Sequence, residues 1–374
     1  MSLSNLVYGT DSIGVDIEGV KSTVPYSLIN ADYQRILGLG WRKIELENGV
    51  YNAFPSAIFK SGSSLAAIFS SGAGHGNSDR QIAIRSDDEF ETFERSVFFE
   101  DATAAYDFSF LNGMMNEGDV WPFKNVFKVR KTADGHETKI QSTVVVTGQG
   151  ANNGTYALWS AAPLATGGKL YCTGYRTSPT PWTTALFESG DSGWTWTFTA
   201  VIASDPALMF NEAAIVKCLN GDLIAVIRED AGAGRPLYLS RCASGFTSWS
   251  TPVLLSGMQG TQPCLLLMPD GDVLLIVGHR TGSSGLDAAG RLRDQNSNNH
   301  TGIAVWRSTN HGVSWHDRVM LAPMWSTDGG QPMAVVLDSG KVGVLCYLAP
   351  WATNGDGGFE PGIYWLTFNG DNLV

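Results

Sequence analysis

Residues 211–228, NEAAIVKCLNGDLIAVIR, set two apolar runs on either side of Asn220-Gly221-Asp222. An Asn-Gly step between apolar runs encodes a tight hairpin: strand, turn, strand. The unit recurs as NAFPSAIFKSGSSLAAIFSS (52–71), ALWSAAPLATGGKLYCTGYR (157–176), TQPCLLLMPDGDVLLIVGHR (261–280) and GQPMAVVLDSGKVGVLCY (330–347). The turn glycines stand at 62, 168, 221, 271 and 340, at intervals of 106, 53, 50 and 69. The first interval is twice 53, so one degenerate copy belongs near residue 115. Six all-β units of about 50 residues predict a six-bladed β-propeller. In such a ring, residues that open the first strand of a hairpin or close its second converge at one end of the central axis.

That convergence singles out charged residues. Glu212 opens the first strand of unit four and Arg228 closes its second, so the hairpin brings them together. Arg280 closes the second strand of unit five. Tyr347 lies seven residues past its turn glycine, the offset of Arg228 from Gly221, and is expected on the same face. In unit three, Arg176 lies nine residues past Gly167, the offset of Arg280 from Gly271. Its neighbour Tyr175 points the other way, so only one of the two lines the site, and Arg176 is favoured.

Of the 374 residues, 16% are charged, and there are 43 Gly and 12 Trp, a turn-rich and aromatic-rich β composition. The net charge of −11 and the lack of a basic stripe argue against a nucleic-acid partner. No apolar run is long enough to span a bilayer, so no membrane partner is expected. The start, MSLSNLVYGTDS, shows no signal region, which leaves localisation open. The five cysteines fall mostly in apolar strand runs and read as buried free thiols. No Cys/His spacing matches a zinc site, and neither metal nor cofactor is expected.

Residues 1–40 form an unassigned N-terminal extension, and 41–374 make the propeller. The last unit ends after GIYWLTFNG (362–370), one strand short. A segment from the N-terminal side, Trp41–Glu47, is expected to complete it and remove a free edge. Unit two, about 100–150, is the weakest, with FKNVFKVRK and KIQSTVVV pairing around Asp134-Gly135. A polar insertion at 281–300 follows Arg280 and is placed as a binding element.

The outer strands carry a second pattern: SGDSGWTW with Ser189, Asp191, Gly193, Thr195 and Trp196, and STNHGVSW with Ser308, Asn310, Gly312, Ser314 and Trp315. SDDEFETF keeps Ser86, Asp88 and Thr92 of it. Asp or Asn caps backbone N–H groups, Gly takes φ > 0 and Trp packs between strands. In phase with the repeat, this pattern resembles the Asp-box of the sialidase superfamily over roughly residues 50–370.

The resemblance implies a site in which arginines from different blades grip the carboxylate of a sialic acid. A planar guanidinium makes two parallel hydrogen bonds to such a group. Arg228, with Glu212, resembles the second arginine of that set and Arg280 the third. The chain departs from the family at two places. The first arginine is replaced in Ala53-Phe54-Pro55, and the nucleophilic tyrosine is absent from Asp328-Gly329-Gly330-Gln331. The phage endosialidases depart in the same way, and Tyr51 and His75 match the spacing of their first-blade tyrosine and histidine.

The resemblance therefore implies an endosialidase-like glycoside hydrolase acting on an anionic glycan at an extracellular or virion-associated site. The alternative is a carbohydrate-binding propeller that has lost catalysis, such as a phage receptor-binding protein. A homo-oligomer is among the assemblies such a chain can form. With no tyrosine, water is expected to attack directly, with Glu212 moving the proton. Its apolar neighbours favour an acid role and Arg228 opposes it. His75 serves as partner base or orients the leaving group, and Asp79 is a further acid in the same loop.

Overall fold

The computed structural model describes residues 7–9, 12–17, 20–25, 39–44, 50–73, 78–100, 110–111, 121–122, 127–131, 137–141, 143–145, 156–191, 195–231, 235–243, 245–279, 301–316, 318–324, 329–348 and 362–373. Among them, five sheets of four or five strands carry the repeat, corresponding to units one, three, four, five and six. Each begins with the hairpin read from the sequence. In blade four, Phe210–Lys217 pairs with Leu223–Glu229, followed by Pro236–Cys242 and Val253–Gln259. Blade five runs Thr261–Leu267, Val273–His279, Thr301–Ser308 and Val319–Met324 in the same order. The first strand of each blade lies beside the first strand of the next: three by four, four by five, five by six, and six by one. This is the all-β propeller. Its core is the apolar packing between neighbouring sheets, where Phe69, Phe187, Trp196 and Phe368 are among the largest fully buried side chains.

The last blade contains Gly329–Val336, Val342–Leu348 and Gly362–Phe368. Its fourth strand is Gly40–Ile44, antiparallel to the third, with Ile44 opposite Ile363 and Trp41 opposite Leu366. This is the place expected of Trp41–Glu47; residues 45–47 lie outside the described residues. Ion pairs cross the seam to blade one, Arg42 to Glu91 at 2.9 Å and Lys60 to Asp338 at 2.5 Å. Earlier in the chain, Val7–Gly9, Ser12–Ile17 and Val20–Pro25 form a three-stranded sheet of their own.

Unit two differs in detail from its sequence reading. Phe127–Lys131 and Glu137–Gln141 do pair, antiparallel, while the expected turn at Asp134-Gly135 lies outside the described residues. The run KIQSTVVV, however, is divided between two sheets. Thr143–Val145 leaves the hairpin and runs parallel to Thr195–Thr197 on the outer strand of blade three, giving that sheet five strands.

The outer-strand turns are built as their composition demands. Asp88 Oδ1 accepts from Thr92 N at 2.9 Å and from Ser86 Oγ at 2.7 Å, and Ser86 Oγ accepts from Phe90 N at 2.8 Å. Asp191 receives Thr195 N at 2.8 Å, and Asn310 receives Ser314 N at 2.8 Å. All five cysteines are buried free thiols, and burial pushes the Cys264 thiol up to about 12.

Candidate functional site

The first strand of each of these five blades begins with a break in register. The shifts fall between Ala53 and Pro55, Trp159 and Leu164, Phe210 and Ala213, Thr261 and Cys264, and Gly330 and Met333. Three of these breaks hold a proline, Pro163, Pro263 and Pro332, and Pro55 borders a fourth. A bulge tolerates proline because the ladder there needs no N–H. The residue before it takes φ > 0 in three blades: Phe54 at 52°, Gln262 at 54° and Gln331 at 43°. Blade four is different. Where blades five and six place Pro263 and Pro332, it places Glu212. The N–H that proline would lack is satisfied locally, since Asn211 Oδ1 accepts it at 2.7 Å. A carboxylate has thus been put at a position the repeat otherwise gives to proline.

Glu212 is buried, and its setting is polar, not the apolar one expected from its sequence neighbours. Oε2 accepts from Arg228 Nη1 at 2.8 Å and from Gln262 N at 3.1 Å. Oε1 accepts from no described residue, and 10% of the side chain stays accessible. One oxygen is held by two donors while the other is left for an incoming group. A chain of glutamines continues around the axis. Gln331 N donates to Gln262 Oε1 at 2.9 Å, Gln262 Nε2 to Gln331 Oε1 at 3.2 Å, and Gln331 Nε2 to the Pro55 carbonyl at 2.8 Å. This belt ties blades four, five, six and one together through side chains that are themselves buried. Between blades five and six the backbones nearly touch: a Cβ on Gly278 would lie 3.0 Å from the Gly330 Cα.

Arg228 is the centre of the charge arrangement. Besides Glu212 it binds Asp230, Nη2 to Oδ1 at 2.6 Å, and Arg235 approaches the same Asp230 oxygen at 2.9 Å. Burial alone would lower the Arg228 pKa, but the Glu212 and Asp230 carboxylates outweigh it and hold the pKa above the ordinary arginine value. Arg228 Nε is sealed from solvent and has no acceptor among the described residues.

The other sequence candidates divide. Tyr51 opens the first strand of blade one, half-buried, with its ring 6.3 Å from Phe54. Arg176 closes the second strand of blade three, but Nε donates to Tyr156 Oη at 3.1 Å and Nη1 to the Pro179 carbonyl at 2.5 Å, so two local acceptors hold it. Tyr347 does not line an open face. It is 0% exposed, with its ring 4.9 Å from that of Phe54. Phe54, itself buried and with a positive φ, packs against it from blade one. Asp79 lies in the strand Ser78–Ser86, its side chain outside the described residues. His75, Arg280 and the 281–300 insertion also lie outside them.

Asp230, Gln262 and Gln331 are members of this centre that the sequence reading does not single out. Asp230 has a local signal, two residues past Arg228 and so on the same side of an extended chain. The glutamines have a repeat signal, Gln-Pro at 262–263 and again at 331–332.

No protein-family model and no curated protein sequence matches the chain. Solved structures do match in fold. A protein of unknown function from Dyadobacter fermentans superposes with a TM-score of 0.65 at 20% identity, over 88% of this chain and 99% of that one. The Hadza microbial sialidase Hz136 gives 0.58 at 14% identity, over 87% of this chain and 66% of that one. The α-L-arabinanase of Penicillium chrysogenum, solved with arabinobiose, gives 0.56 at 16%, over 87% of this chain and 95% of that one. The chain therefore shares the propeller fold of sialidases and of arabinan-cleaving enzymes.

Proposed function

We propose that the chain is a glycoside hydrolase whose proton-transfer group is Glu212. The observation that carries this reading is the asymmetry of that carboxylate. Both contacts to Oε2 are donors, so Oε2 accepts and Oε1 is left to act. Glu212 then works as a base: Oε1 takes a proton from the water that attacks the anomeric carbon. The glycosidic C–O bond breaks, and the leaving oxygen departs as an alcohol with a proton from a general acid, the part proposed for His75, or from solvent. The acid role suggested by the apolar sequence neighbours is set aside, because the groups around the carboxylate are a guanidinium and an amide N–H. We also take the ring to be six-bladed. Phe110–Leu111, paired with Trp121–Pro122, lies near the first strands of blades one and three, where a sixth inner strand belongs.

Two substrate classes fit this centre. Sialic or related nonulosonic acids, cut in an endosialidase-like manner by a site with Arg228 and Arg280 on the carboxylate, are supported by the Glu212–Arg228 pair and the likeness to a sialidase. A neutral pentose polymer is supported by the likeness to an arabinanase and by the two carboxylates already on Arg228. Incubation with sialyl-lactose, polysialic acid and arabino-oligosaccharides, with assay of released sugar, separates them. Glu212→Gln should lower turnover on the active substrate by about 10²–10⁴-fold while still binding it, the usual contribution of a general acid or base. Parental turnover in that variant would remove Glu212 from the reaction. Binding without release from any glycan would make the chain a carbohydrate-binding propeller.

A further inference from the structure

With Glu212 and Arg228 taken as the sugar site, a placement on which the inference rests, the groups around them bear on the charge of the sugar. A carboxylate is gripped by a guanidinium through two parallel N–H bonds. Arg228 has little left to offer in that form. Nη1 is on Glu212 at 2.8 Å, Nη2 is on Asp230 at 2.6 Å, and Nε is sealed without an acceptor among the described residues. Only 13% of the side chain is accessible.

Asp230 is itself fixed. Arg235 Nη1 lies 2.9 Å from Asp230 Oδ1 and also donates to the Asp230 carbonyl. Displacing Asp230 from Arg228 therefore breaks a braced pair. The four groups, two guanidinium and two carboxylate, balance to zero formal charge. An arriving anion meets this balanced centre on a chain of net charge −11 and finds no uncompensated cation among these groups. A hydroxyl needs only one hydrogen-bond partner, and Glu212 Oε1 is available to it.

We propose that Asp230 is a specificity-determining residue, an internal carboxylate that occupies the guanidinium and turns the site toward uncharged glycans and against carboxylated ones.

The test uses matched methyl glycosides that differ only in charge: glucuronide and glucoside, galacturonide and galactoside, and α-sialoside and its C1 alcohol. Each is titrated against the full chain and against Asp230→Asn, with binding as the readout. The parent should bind the neutral member of at least one pair about tenfold more tightly, and Asp230→Asn should reduce that ratio at least about fivefold, as expected when a like charge is removed. Arg235→Gln, which releases the brace but keeps Asp230, should shift the ratio in the same direction by less. Tighter binding of the carboxylated member by the parent overturns the proposal. An unchanged ratio in both variants does so too, as does failure to bind any member. Because binding is measured, a chain that binds neutral sugars but releases none sinks the hydrolase reading alone. A chain that cleaves and prefers sialosides sinks the specificity role of Asp230 alone.

Discussion

Arg228 illustrates how a buried charge is kept in a β-sheet. It leaves the strand Leu223–Glu229 with carboxylates on two of its nitrogens, and its burial is tolerated because both partners are in place. Removing one partner of such a group strands the others. Arg228→Ala should therefore destabilise the fold by about 3–5 kcal/mol, since Glu212 and Asp230 would be left facing each other without the intervening cation. Urea denaturation gives the measurement; a loss under about 1 kcal/mol would show that the pair is more hydrated than its burial suggests.

The outer-strand turns make a prediction about pH. The Thr92 backbone N–H, with the Thr92 and Ser86 hydroxyls, favours ionised Asp88 and lowers its pKa from 3.8 to about 2. A carboxylate with a lowered native pKa adds stability that is fully present above its unfolded value, near 3.8, and is lost as pH falls toward about 2. Asp88→Asn should melt below the parent at pH 6, and the gap should narrow as pH is brought below about 3. A gap that stays constant across that range would assign the turn's stability to hydrogen bonding alone. The bulges are the other informative elements. In blades four, five and six they leave two first-strand residues out of the ladder, and it is there that Glu212, Gln262 and Gln331 sit.

Closure of the ring depends on a strand from far up the chain. Gly40–Ile44 covers the edge of Gly362–Phe368, whose residues Ile363, Tyr364, Trp365 and Leu366 are all buried. A truncated chain beginning after residue 48 would expose that edge and the Trp365 face. It should show a lower melting temperature and concentration-dependent association on gel filtration. A monomeric truncation with parental melting would mean that the fourth strand is dispensable.

The hairpin repeat, the pairing of Glu212 with Arg228, the closing strand and the Ser-x-Asp turns were all legible in the sequence. Each is local or periodic: an Asn-Gly turn fixes which residues face each other, and spacing along the chain fixes which units repeat. What depended on contacts between blades was not. Tyr347 shares the offset of Arg228, yet Phe54 from the neighbouring blade covers it. Arg176 is an exception inside one blade: Tyr156, directly before the first strand of the same hairpin, accepts from it, a side-chain contact that the glycine offset does not show. Gln262 lies 50 residues from Glu212 and Gln331 lies 69 from Gln262, and only closure of the ring brings their hydrogen-bonding groups together. The sequence by itself determined the repeated hairpins, their turns and the pairing of Glu212 with Arg228. The tertiary structure decided which side chains are open and which are covered, because burial and hydrogen-bonding partners come from packing, as with Phe54 of the neighbouring blade over Tyr347, and no offset within one repeat encodes them.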